Sequence, residues 1–367
     1  MRSHSFRIHY HEGGDRLVLE GIRPVLRRIA GEVDHAYFAR HWIRGPHVRL
    51  NVQCEPGVLE AVARPAVDEV LGGFLAEHPS RARLNLDEHL PMHRRLAELE
   101  SETEDLLPWH ADNSIHLYAG PEPSPEDESS ARLLADFYTA TNEPVFAALD
   151  DVASGARRLG IAFDLMICTA HALSGVGLAR GGLSFRSHAE AFLHGYPEGH
   201  GLRRAWDEHY RRNAAVLVDR VRAVVSTVDG TEGSSAPVPH VRSWNRALGP
   251  FRARAEQMAA SGGLDEQAPP PGLDVADLTQ VSPFHRELFA SAGWQEQTDA
   301  AGWFLCYKLL LNYTYLHLTR LGVTPTERFL LCHLAASAVE EAHGISALDL
   351  VRTLADPSLP PAEEVAR

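Results

Sequence analysis

The first residues able to do chemistry are four polar side chains on an otherwise apolar stretch. In WFLCYKLLLNYTYLHLTRLG, from Trp303, the residues Lys308, Asn312, Tyr315 and Thr319 are spaced four, three and four apart, which puts them on one helix face. An apolar helix has little reason to bury an ammonium, an amide and a phenol unless they satisfy one another or face a cavity. Both readings stand at this level.

A second concentration lies in HWIRGPHVRLNV, residues 41 to 52. Strand alternation puts Arg40, Trp42 and Arg44 on one face of a strand, and on the next it sets His47, Arg49 and Asn51 opposite Val48, Leu50 and Val52. One face of the hairpin is therefore expected to be cationic and aromatic. The plain reading is a solvated outer face. Like charges across a hairpin repel, so the clustering also asks for an anionic or carbonyl-rich partner. Ser282-Pro283-Phe284-His285 reads as a helix cap followed by a first-turn proline. SFRSHAEAFL, from Ser184, sets Arg186 and His188 beside a Gly181-Gly182 turn, where polar rings could line a cleft. Glu100 sits in HRRLAELESETED, by default a solvated charged helix.

With 21 histidines a metal site has to be tested. His89 and His93 are four apart, but Pro91 between them opposes the helix that would aim both at one ion. HExxH is absent, and Cys332-His333 are neighbours that point apart on a helix. No metal is expected. The chain has no GxGxxG, Walker loop or GxSxG elbow, so nucleotide binding and the common hydrolase chemistry lack support. Cys54, Cys168, Cys306 and Cys332 form no CxxC pair, as suits reduced, buried thiols. The net charge of −14 repels nucleic acid, and no apolar run is long enough for a membrane span. Met1 leads straight into a strand pattern without a signal-peptide core, so a cytoplasmic protein with neither a nucleic-acid nor a membrane partner is expected.

These residues need elements to carry them. Phe6, Ile8 and Tyr10 alternate with Arg7, His9 and His11 in a first strand. A helical stripe follows through Val18, Ile22, Val25, Leu26 and Ile29, with Pro24 a kink or irregular turn. Strands are expected over about 36–43 and 47–52, joined at Gly45-Pro46, then a helix through Leu59, Val62, Ala66, Val70 and Phe74. The order β-α-β-β-α suggests a ferredoxin-like half, completed by a strand near 83–86 or 114–118. After residue 120 the pattern turns helical. A start is expected at Ser124-Pro125, a buried helix over 163–179 and a long amphipathic one over 202–228. Thr324-Pro325-Thr326-Glu327 is a capping-box start for a last helix ending near Gly344. The expectation is an α+β protein: a ferredoxin-like lobe over 1–120 packed on a mainly helical lobe over 121–367, as one compact unit with a shared cleft.

YFARHWIRGPHVRLNV, SFRSHAEAFL and NYTYLHLTRLGVTPTERFLLCHL, with HRRLAELE and LLPWHADNSI between them, cover most of the chain. Together these blocks resemble the thiopeptide pyridine synthases, stand-alone relatives of the glutamate-elimination domain of lantibiotic dehydratases. The resemblance implies an elimination-domain-like fold and a cofactor-independent enzyme. Its substrate would be a ribosomal precursor peptide with an acidic leader, azoles and two dehydroalanines; other maturation enzymes are further candidate partners. The implied reaction is a formal four-plus-two aza-cycloaddition of the alkenes, then loss of water and expulsion of the leader as a carboxamide, leaving a pyridine in a macrocycle.

Matching Arg320 to the family's late-helix arginine places Tyr315 where the elimination domains carry a histidine. A phenol of ordinary pKa about 10 is a poorer base and a better hydrogen-bond donor, which favours cycloaddition over glutamate elimination. Ser282 and Glu100 fall where family motifs imply pocket groups, so Tyr315, Ser282 and Glu100 are the expected catalytic residues. Arg40, Trp42, Arg44, His47, Arg49, Arg186, His188, His285 and Asn312 are expected to bind substrate. Whether the arginine ribbon holds the leader or lines the pocket is open. A glutamate-elimination lyase and a non-catalytic leader-binding subunit are the alternatives.

Overall fold

The computed structural model describes residues 2–100, 104–119, 128–195, 199–231, 236–264, 279–280, 282–291, 294 and 302–355. The fold is α+β, mostly helical with one small sheet. The chain divides into two compact units, Met1–Ala156 with Thr319–Gly322, and Arg157–Leu318 with Val323–Arg367.

The first unit is built on four antiparallel strands, β1 (Arg2–His9), β2 (His35–His41), β3 (His47–Cys54) and β4 (Ser114–Ala119), in the order β2-β3-β1-β4. The closing strand is therefore the later of the two candidates; 81–85 is irregular. One sheet face carries Phe6, Ile8, Phe38, Val48, Leu50 and Val52, all buried. α1 (Arg23–Ile29) and α2 (Arg64–Glu77) pack against each other, and Gly21 lies so close to α2 that a Cβ there would sit 2.8 Å from Leu71.

Pro24 takes the irregular-turn reading. A π-helical turn, Leu17–Ile22, precedes it, and a second one, Leu59–Ala63, precedes Pro65. In an α-helix each proline ring would press on the carbonyl four residues back; the wider turn makes room for the ring. α3 (Leu86–Glu100) contains Pro91, against the expectation that this proline would forbid a helix. The proline is exposed and removes a single ladder bond, while His93 anchors the helix, tilted against Trp42 at 5.1 Å and stacked on Trp109 at 5.2 Å.

α4 (Glu128–Ala140) packs on β2 and leads into α5 (Asn142–Ala153). The expected start at Ser124 lies outside the described residues. Arg320, fully buried, knits this corner together. It donates to the Tyr138 carbonyl at 3.1 Å, to Thr141 Oγ1 at 2.8 Å and to Asn142 Oδ1, and its guanidinium lies 4.5 Å over the Phe38 ring. Its own carbonyl accepts from Arg40 Nε at 2.9 Å. No carboxylate pairs with it among the described residues, and burial lowers its pKa to about 9, so it remains charged at neutral pH.

The second unit is helical. α6 (Arg158–Leu173) is buried on almost every side and touches α8 (Gly199–Asp229), α9 (Val241–Ala260) and α12 (Pro325–His343). The helix expected to run to residue 179 stops at Leu173, because Gly175 and Gly177 take φ of 79° and 76° and turn the chain. α7 (Leu183–Gly195) packs on α12, α8 and α10 (Pro283–Ala290). α11 (Trp303–Leu321) and α13 (Ala347–Ala355) complete the set. α12 opens with the capping box read from the sequence, and Gly344 closes it at φ 66°. No single helix among the described residues is long and apolar enough to cross a membrane.

Arg320→Ala would remove the guanidinium donors to the Tyr138 carbonyl, Thr141 Oγ1 and Asn142 Oδ1 and open a cavity. We expect a loss of about 3 kcal/mol in urea unfolding, with Arg320→Lys recovering only part because an ammonium lacks the planar fork.

Candidate active site

Two polar clusters start from adjacent residues of α7, Ser187 and His188, which the helix turns to different sides. The Tyr315 hydroxyl lies 2.9 Å from His188 Nδ1 and 3.4 Å from Cys332 Sγ, and the Arg328 guanidinium is 5.3 Å from the Tyr315 ring centre. α11 supplies the phenol, α7 the imidazole and α12 the thiol and guanidinium. Tyr315 is buried; His188 is partly exposed. Burial, then the neighbouring Cys332, holds the phenol pKa well above 10. Burial, then the charges of Arg328, His285 and Lys308, lowers His188 to about 4. Burial raises Cys332 to about 11. All three are neutral near pH 7.

Ser282 takes its capping reading. It is the N-cap of α10, accepting from the His285 backbone at 3.3 Å, and its Oγ lies 2.9 Å from His285 Nδ1. The other ring nitrogen of His285 lies 3.0 Å from Ser187 Oγ. Ser282 is completely buried, so its hydroxyl can act only through His285. Burial lowers His285 to about 4. Of the expected residues, the second unit thus pairs Tyr315 with His188 and Ser282 with His285. Asn312 lies half-buried three residues before Tyr315. Arg186 is spent on Glu340 and Ser337, at 2.8 and 3.1 Å, tying α7 to α12. The side chain of Glu100 lies outside the described residues.

In the first unit the ribbon requires a correction. Arg40 pairs with Val48 and His41 with His47, so Arg40 stands on the apolar face while Arg49, His47 and Asn51 stand on the other. Arg40 is consumed internally, 2.6 Å from Asp15. Trp42 and Arg44 lie beyond the strand, in a turn where Arg44 takes φ of 58° and its Nε donates to the Asp105 carbonyl at 3.1 Å. The solvated outer face is also overturned: His47, Arg49 and Asn51 are 3%, 4% and 7% exposed.

The groups that cover this face were not among the expected site residues. Arg7 pairs across with Arg49, and His9 with His47. Imidazoles crowd together there, with His9 4.7 Å from His47 and 4.6 Å from His110, which itself lies 4.2 Å from His116. His47 Nδ1 gives its proton to the Gly45 carbonyl at 2.9 Å, so its Nε2 is the acceptor for Arg49 Nε at 3.1 Å. Both ring nitrogens of His9, completely buried, have no hydrogen-bond partner among the described residues. Burial, then neighbouring histidines, lowers its pKa to about 3. The alternation Arg7-Ile8-His9 was the available signal. Among the described residues no group of three or more His, Cys, Asp or Glu could hold a metal ion.

The family model of the lantibiotic biosynthesis dehydratase C-terminal domain matches residues 4–339. The chain belongs to that family. Among solved structures, this family member is similar to pyridine synthase TbtD from thiomuracin biosynthesis, with 42% identity over 94% of this chain and 99% of that one and a TM-score of 0.78. It also shares its fold with TsrL, at 20% identity over 97% and 99% of the two chains and a TM-score of 0.71. No curated protein matches.

The buried histidines make the fold acid-sensitive. Unfolded, each protonates near about 6.5; folded, His9 and His41 do so only near 3 and His188 and His285 near 4. As pH falls below about 6.5 the unfolded chain takes up protons that the fold refuses, so stability drops by up to ~1.4 kcal/mol per pH unit for each site. Melting temperatures should fall steadily from neutral pH towards about pH 4.5; a flat profile over that range would refute neutral burial.

Proposed function

We propose that this family member is a thiopeptide pyridine synthase. It would join two dehydroalanines of an azole-bearing ribosomal peptide by a formal four-plus-two aza-cycloaddition, then release water and the leader as a carboxamide, without a cofactor. The observation that carries the reading is the end-to-end match to pyridine synthase TbtD. The four-stranded lobe, with helices between β1 and β2 and between β3 and β4, supports a ferredoxin-like assignment.

The hard step is turning the amide that joins one dehydroalanine into its iminol, because only then does an azadiene exist. That asks for hydrogen-bonding groups around one amide with the two alkenes held together. In this reading the amide lies against the Tyr315–His188 and Ser282–His285–Ser187 pairs, the serine chain orienting either the amide or the departing water. Glu100, carried over from the resemblance alone, would hold either the tautomer or Tyr315. A glutamate-elimination lyase fits less well, since an imidazole lowered to about 4 is a weak base for an α-proton. A mute scaffold subunit gives no reason to keep two partly buried polar pairs side by side.

The internal use of Arg40 and the burial of Arg49 favour a pocket wall over an electrostatic dock for the acidic leader. Arg49→Ala should slow turnover while leaving the salt dependence of precursor binding unchanged. A salt-sensitive loss of affinity would restore the docking role.

The deciding experiment incubates the protein with a linear, azole-bearing bis-dehydroalanine peptide and follows it by mass spectrometry. A macrocycle plus a leader carboxamide is expected, and Tyr315→Phe should slow ring formation by about tenfold or more while the peptide still binds. Loss of glutamate from a glutamylated peptide would establish the lyase instead.

A further inference from the structure

The Tyr315 hydroxyl is poorly placed to meet a substrate. It is buried, with the His188 ring on one side at 2.9 Å and the Cys332 thiol on another at 3.4 Å, and the Arg328 guanidinium lies at its ring. A hydroxyl has one proton to give. An imidazole nitrogen is a far better acceptor than a thiol sulfur, which favours a phenol that donates to His188 Nδ1 and accepts from the thiol. The chain then runs from Cys332 through Tyr315 to His188.

This direction has a consequence at the far edge of the ring. A neutral imidazole has a single proton, and if Nδ1 accepts, the proton is on Nε2. His188 is the partly exposed member of the pair. We propose that His188, rather than Tyr315, meets the substrate, donating a hydrogen bond from Nε2–H to the carbonyl oxygen of the reacting amide, with Tyr315 a positioning residue that fixes this tautomer. The carbonyl contact rests on the pyridine-synthase reading; the tautomer does not. A neutral donor suits this chemistry, because it polarises the carbonyl toward the iminol without forming an ion pair that would hold the ground state. The low pKa of His188 and the cations around it keep the ring neutral.

The test uses the full-length protein and the same linear bis-dehydroalanine peptide. Isotope-labelled histidine nitrogen resonances, with His188 assigned by its loss in His188→Gln, should report a hydrogen on Nε2 near neutral pH and a mixture of tautomers in Tyr315→Phe. A hydrogen on Nδ1 overturns the proposal. On titration with the peptide the Nε2 resonance should move; a peptide that binds without moving it also overturns the proposal. If Nε2 moves but no ring forms, the reaction reading and the carbonyl assignment fail with it, while the tautomer and a peptide contact at Nε2 stand. Kinetically, His188→Gln keeps an N–H near the Nε2 position and should stay within about tenfold of wild type, whereas His188→Asn, which mimics Nδ1, should lose about a hundredfold. Tyr315→Phe should cost about tenfold in the wild-type background and less than about threefold in His188→Gln. An equal penalty in both backgrounds would mean that Tyr315 acts on the substrate directly.

Discussion

Burial of titratable rings away from water governs this protein. A charged group taken from water into the interior must find an opposite charge or give up its own. Here the histidines give it up: His9, His41, His188 and His285 are all pushed far below their ordinary range, and Tyr315 and Cys332 are held protonated from the other side. Arg320 behaves differently, because a guanidinium is too basic to surrender its proton and instead gathers carbonyl, hydroxyl and amide oxygens around it. Ion pairs remain where a carboxylate is at hand, as between Asp164 and Arg220 or Glu190 and Arg203. What a ring does in such a setting depends on where its single proton sits.

Much of the scaffold is legible in the chain. Alternation locates the first three strands, and the capping box fixes the start of the last long helix, because these signals act over a few residues. The failures come where the answer depends on something farther away. The arginines of the ribbon's first strand read as one cationic face, yet face is set by which residues pair across the turn, and pairing His41 with His47 puts Arg40 opposite Val48. A turn one residue longer or shorter would have reversed that. The helix through residues 163–179 reads too long because its apolar content continues past two glycines that need positive φ.

The candidate site is legible as a set of residue types and not as a set of partners. Tyr315 stands out for lacking the expected histidine, and the structure supplies one 127 residues away in sequence, on α7. Ser282 reads from its neighbours as a helix cap, which it is, and its contact with the His285 ring is made by folding. The dipeptide Ser187-His188 carries half of each pair; only the packing of α10 and α11 on α7 gives those side chains meaning. The family match explains why the blocks recur, while the pairings explain what the residues do.

The turn after β2 carries a further implication. Gly45 adopts φ of 100°, next to Arg44 in the same left-handed region, and its carbonyl takes the Nδ1 proton of His47. That leaves Nε2 bare for Arg49. A backbone torsion here works as an instruction about protonation: the bend of a loop decides which edge of an aromatic ring is nucleophilic. In a protein whose rings are mostly uncharged, inheritance of such loops would conserve electronic states as faithfully as it conserves shapes.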